Sequence, residues 1–138
     1  MSTKTEAFAR KVLDIVARKD HAGMAELVGE GAVFHTPRFL KPITDRQHII
    51  LVLQGIIQVL PDFSYERWWT TEHEAIMHFK GHVVGTDVIA HGLDIFTVGD
   101  DGRFKELTVF LRPTKALEAI GAVEDAFIRA KLGAKAAG

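Results

Sequence analysis

Asp94 stands inside a run of β-branched and aromatic residues, with Leu93 before it and Ile95 and Phe96 after it. In an extended strand it shares a face with Gly92, Phe96 and Val98, while His91, Leu93, Ile95 and Thr97 point the other way. Neither face is polar, so the carboxyl is at least half buried whichever way the sheet lies. A buried carboxylate needs a hydrogen-bond partner, a cation, or a pKa high enough to keep it neutral. A neutral acid in an apolar cavity is a hydrogen-bond donor, and such donors bind ligand oxygens. The structural alternative pairs Asp94 with Arg112 or a backbone amide and leaves it only to fix the sheet.

Seven histidines raise the question of metal or proton chemistry. His78 and His82 lie on one strand face but about 13 Å apart, too far to share an ion. If Met77, Phe79, Gly81 and Val83 face the pocket, then His78, Lys80 and His82 face outward, and no metal site is expected. His35 and Thr36 are neighbours on a short strand, so only one of them enters a cavity unless a bulge intervenes. Chemistry favours His35 as a partner for Asp94. Trp68 and Trp69 put one indole on each sheet face, and one of them is expected to line the cavity. On the last strand Leu107, Val109 and Leu111 share a face, leaving Phe110, Leu93 and Ile95 to be covered on the other.

The elements that position these groups follow from spacing. Thr3 and Glu6 form a capping box, and Phe8, Val12, Ile15 and Val16 give a first helix with one apolar face. Asp20 caps a second helix through Val28, ended by Gly29–Gly31, and Ala32–Thr36 reads as a short strand stopped by Pro37. Asp45 caps a third helix, Arg46–Leu60. From Phe63 the period becomes two. Phe63–Glu72, Ala75–Val84, Val88–Val98 and Phe104–Arg112 are four strands joined by short turns, the last two by Gly99-Asp100-Asp101-Gly102. Leu117, Ile120, Val123, Phe127 and Leu132 mark a final helix, weakened at Gly121 by roughly 1 kcal/mol relative to Ala. Helices followed by a long curved meander give an α+β domain. It is expected to span residues 1–133 as one unit, with a frayed tail at 134–138.

Composition narrows the partners. The 138 residues carry a net charge of −1 without a basic block, so neither nucleic acid nor an anionic membrane is expected. The absence of cysteine excludes disulfides, thiolate nucleophiles and thiolate-ligated metals. No apolar run approaches the ~20 residues of a membrane span, and the polar N-terminus reads as that of a cytoplasmic protein.

This order of elements, with AVFHTP at 32–37 and GLDIFTVGDDGRFKELTVFLRP at 92–113, resembles the NTF2-like (cystatin-like) superfamily of cone-shaped α+β domains. Its SnoaL-like branch, which includes polyketide cyclases and is similar to ketosteroid isomerase, is the nearest likeness. The resemblance implies a curved antiparallel sheet wrapped around the N-terminal helices and an internal pocket. In ketosteroid isomerase an acid on the penultimate strand donates to an oxyanion, and Asp94 stands at its position. The isomerase's base precedes a proline at the end of the first strand, where this chain has Thr36 before Pro37; its oxyanion tyrosine is replaced by Val12. Thr36 takes no proton at neutral pH and Val12 donates none, so steroid isomerisation by that mechanism is not expected. The resemblance instead implies a cofactor-independent isomerase, cyclase or lyase acting on a hydrophobic carbonyl compound. Asp94 would be the acid/base, Thr36 or His35 its helper, and Val12, Trp68, Met77, Phe79, Phe96, Leu107 and Val109 the ligand-binding walls. It also implies a homodimer through the outer sheet face. The rival reading is a non-catalytic dimer that binds a ligand or a protein, and a third is a dimer whose cavity is filled by its own side chains.

Overall fold

The computed structural model describes residues 3–137. Thr3 opens helix α1 (Lys4–Ala17) by accepting from the Glu6 amide at 3.1 Å, the first half of the expected capping box. Asp20 caps α2 (His21–Leu27) through the Gly23 amide, and Asp45 caps α3 (Arg46–Val59) through that of Gln47. Strands β2 (Ser64–Thr70), β3 (Glu74–His82), β4 (Ile89–Val98) and β5 (Phe104–Arg112) form the expected meander, and α4 (Thr114–Ala137) follows. α4 runs on past Ala134, and the side chains of the tail at 134–138 lie outside the described residues.

The start of β1 differs from the sequence expectation. It runs Val28–His35, so Gly29–Gly31 do not end the second helix but begin the strand. β1 joins the sheet beside β5 in the order β1-β5-β4-β3-β2, and this is the parallel pair. Its register slips between Val28 and Val33, where Gly31 takes φ +71°, the left-handed conformation that suits glycine. Arg46 of α3 holds the junction by donating to the Val28 and Ala25 carbonyls at 3.1 and 2.9 Å.

The inner face of the sheet is apolar because β3 and β4 bury alternate residues along their whole length. Phe8 of α1 packs edge-on against Phe96 and Phe104, closing one end of the core. Gly92 allows a second close contact, since a Cβ there would sit 2.3 Å from the Phe79 ring and 2.8 Å from the Phe110 carbonyl oxygen. Phe79 therefore lies flat over the sheet opposite Gly92 and stacks on Phe63 at 4.8 Å. Gly92→Ala is expected to push the ring off this seat and to destabilise the fold by about 1–3 kcal/mol, read as a lower denaturant midpoint. An unchanged midpoint would mean the contact is slack.

Among the described residues no helix is long and apolar enough to cross a membrane.

Candidate functional site

Between the inner sheet face, α1, α3 and α4 lies a cavity of about 90 Å³. One water needs roughly 10–15 Å³ of such space, so the cavity holds more than a single water. Its wall is apolar almost throughout. The polar exceptions are Thr36, Arg38, Tyr65, Asp94 and Glu124.

Asp94 enters from the centre of β4 and is 8% exposed. Its Oδ2 accepts a hydrogen bond of 2.7 Å from the Tyr65 hydroxyl, which reaches it across β3 from β2. Among the described residues Oδ1 has no hydrogen-bond partner. Arg112, the alternative partner for this carboxyl, pairs in register with His91, whose face is opposite to that of Asp94. Tyr65 is held edge-on by Phe63 and Phe79 at centroid distances of 5.0 and 6.5 Å, so its hydroxyl has a fixed aim.

This geometry sets the electrostatics. Burial pushes the Asp94 carboxyl up from an ordinary 3.8 to about 7, opposed by the Tyr65 hydrogen bond, which favours the ionised form. Burial first, then the neighbouring Asp94 charge, drives the Tyr65 hydroxyl well above its ordinary 10. Tyr65 is thus a permanent donor and Asp94 an acid that gains and loses its proton near neutral pH.

Thr36 follows β1 directly and lines the cavity, its Oγ1 accepting from the Arg38 amide at 3.2 Å. The hydroxyl hydrogen remains available for a ligand oxygen. His35 points away from the cavity, with Nε2 2.9 Å from Glu106 Oε2 on the outer face. The alternation of a strand decides between the two neighbours, in favour of Thr36.

Of the expected walls, Val12, Phe79, Phe96, Leu107 and Val109 line the cavity. Met77 does not. It is fully buried in the apolar cluster that includes Phe8 and Val12, although it pairs directly with Asp94 across the sheet. Trp68 and Trp69 do not line it either, being 44% and 47% exposed on the edge strand. Trp68 pairs with Met77 and so shares the inner face, but Phe63 and Tyr65, not the indoles, reach the cavity. His78, Lys80 and His82 face outward as expected; His82 pairs with Asp62 at 2.7 Å and His78 stacks on His91 at 6.0 Å. Among the described residues no group of three or more metal-ligating side chains converges.

Two polar side chains of the cavity escape the sequence reading. Tyr65 is the chain's single tyrosine and alternates with Phe63, a signal overshadowed by the adjacent tryptophans. Glu124 falls on the α4 stripe of Leu117, Ile120 and Phe127, where a carboxylate is out of place. Its side chain is 9% exposed, and burial pushes its carboxyl up from 4.5 to about 7.

The cavity shares Thr36, Pro37, Arg38, Val109, Leu111 and Leu117 with an open depression outside. The end of β1, the second half of β5 and α4 frame this side, and a second open depression shares Thr36, Arg38, Val52 and Glu124 with the cavity on the α3 side.

The description that fits residues 9–107 of the chain is that of the SnoaL-like domain. Among solved structures, a steroid delta-isomerase from Pseudomonas aeruginosa is similar with a TM-score of 0.86 and 24% identity, over 96% of this chain and 97% of that one. A bacterial protein with a cystatin-like fold from Silicibacter pomeroyi DSS-3 is similar at 0.78 and 25% identity, over 86% and 83%. An NTF2-like protein of unknown function from Mesorhizobium loti follows at 0.69 and 19%, over 80% and 92%. No curated protein matches the sequence.

Proposed function

The chain belongs to the SnoaL-like domain family, and from that premise we propose that it is a cofactor-independent isomerase or cyclase that moves a proton on a hydrophobic carbonyl compound held in the cavity. The observation that carries this reading is the Asp94–Tyr65 pair in an otherwise apolar wall. A carboxyl poised near pH 7 can act as base and as acid in one cycle.

In its ionised form Asp94 takes the proton α to the carbonyl. The C–H bond breaks, an O–H bond forms on Asp94, and the electron pair moves into the carbonyl to give an enolate. Neutral Asp94 then returns the same proton to another carbon, which completes an isomerisation. In a cyclisation the enolate carbon instead attacks a second carbonyl of the same molecule, and Asp94 protonates the new alkoxide. Tyr65 restrains the carboxyl throughout, and Thr36 offers its hydroxyl hydrogen to a developing oxyanion. His35 has no part in this scheme. The outer sheet face, where Phe110 is 59% exposed, is the surface to which we assign self-association.

The test is exchange of α-protons for deuterium in 2-tetralone, an apolar enolisable ketone, followed by NMR in heavy water. Exchange faster than the buffer rate, rising with pH to a plateau above about 7, is the expected result. Tyr65→Phe removes the bond that favours ionised Asp94, so its profile should move to higher pH. Exchange at the buffer rate would favour the reading of a binding domain without chemistry.

A further inference from the structure

Asp94 and Tyr65 form one polar group in the cavity wall, and Glu124, on α4, is a second. Arg38 is the natural partner of Glu124 but is engaged elsewhere. It donates from Nη1 and Nη2 to the two oxygens of Asp125 at 2.8 and 2.9 Å. That leaves Nη1 3.7 Å from Glu124 Oε1, too long for a hydrogen bond. Nor has the guanidinium freedom to turn, since it rests on Gly121 of α4, where a Cβ would lie 3.0 Å from Nε. Among the described residues nothing hydrogen-bonds Glu124. Asp125 already gives Arg38 a full bidentate partner, so the clamp between the β1–α3 loop and α4 does not need a second carboxyl. A carboxyl this deeply buried without a hydrogen bond is costly, and it lines the space a ligand would fill.

We propose that Glu124 is a second ligand-binding residue of this cavity, accepting a hydrogen bond from a hydroxyl at the far end of an apolar carbonyl compound whose oxygen lies at Asp94. The inference rests on the acid/base role of Asp94 and adds the substrate class, a hydroxy-ketone with an apolar body. A cationic group at that end is disfavoured by Arg38 alongside, and an anionic one by Glu124 and Asp125. A neutral hydroxyl suits both. Sites built to bond a hydroxyl discriminate against the analogue that lacks it, because the buried acceptor is then left unpaired.

The experiment measures binding of 2-alkanones of six to ten carbons and of their ω-hydroxy counterparts by calorimetry. In the wild-type protein at least one chain length should bind about tenfold tighter with the hydroxyl than without it, as expected of a hydrogen bond to a buried carboxyl. Glu124→Leu should abolish that preference, with the parent alkanone bound no more weakly than by the wild type because no acceptor is left unpaired. Glu124→Met, which keeps the side-chain length, serves the same purpose if the leucine variant does not fold. No preference at any length in the wild type, or one that survives both variants, overturns the proposal. Asp94→Asn should leave the preference in place. In the wild-type protein, a hydroxyl preference without any proton exchange would count against the acid/base role of Asp94 and not against Glu124.

Discussion

Asp94→Asn is expected to reduce α-proton exchange of 2-tetralone by about 10²–10⁴-fold, the usual contribution of a positioned general acid/base. The substitution is close to isosteric, and the Asn carbonyl still accepts from Tyr65 at the place of Oδ2. Asn can also donate to a ligand oxygen. What it loses is the ability to take and return a proton, so binding and catalysis should separate. Affinity for the ketone should change little while exchange falls to the buffer rate. Exchange within a few-fold of wild type in a folded Asp94→Asn protein would remove Asp94 from the mechanism.

The same variant should be more stable than the wild type above neutral pH. Asp94 has a folded-state pKa of about 7 against an ordinary 3.8, and Glu124 about 7 against 4.5. Between those limits the folded protein holds protons that the unfolded chain has released, so stability falls as pH rises. Each carboxyl's contribution is fully present below its unfolded pKa and is lost as pH climbs through about 7. At roughly 1.4 kcal/mol per pKa unit, each carboxyl weakens the fold by about 2–3 kcal/mol between pH 5 and 8. Asp94→Asn and Glu124→Gln should each flatten this decline. The Asn variant's advantage over the wild type should grow by about 2–3 kcal/mol between pH 5 and pH 8 in chemical denaturation, and should vanish only below the unfolded carboxyl's 3.8. A pH-independent difference would show that burial does not hold the proton on Asp94. A catalytic group that costs stability where it is ionised is the trade-off expected of an active site.

Features governed by local period are legible in the sequence. Asp94 between apolar neighbours announces its burial, and the alternation of β3 alone is enough to send His78 and His82 outward. The four-strand meander is legible because its turns are short. Longer-range pairings are not. β1 lies parallel to β5, about seventy residues on, and its bulge at Gly31 makes a strand of glycines that read as a helix stop. Tyr65 reaches Asp94 across an intervening strand, so spacing cannot reveal their bond. Gly121 reads only as a weak point of α4, whereas it is the seat on which the Arg38 guanidinium lies. Trp68 and Met77 satisfy the alternation rule and still miss the cavity, because that rule fixes a face and not a position along it. Glu124 stands out as a carboxylate on an apolar stripe, but what it faces depends on how α4 folds back over α3 and β5.

The most direct test is a pH titration of the protein labelled with ¹³C at the aspartate carboxyl carbons, followed by NMR. One aspartate carboxyl should titrate near pH 7, vanish in Asp94→Asn and move to higher pH in Tyr65→Phe. If every aspartate carboxyl titrates in the ordinary range near 4, Asp94 is no poised acid and the proposed chemistry fails.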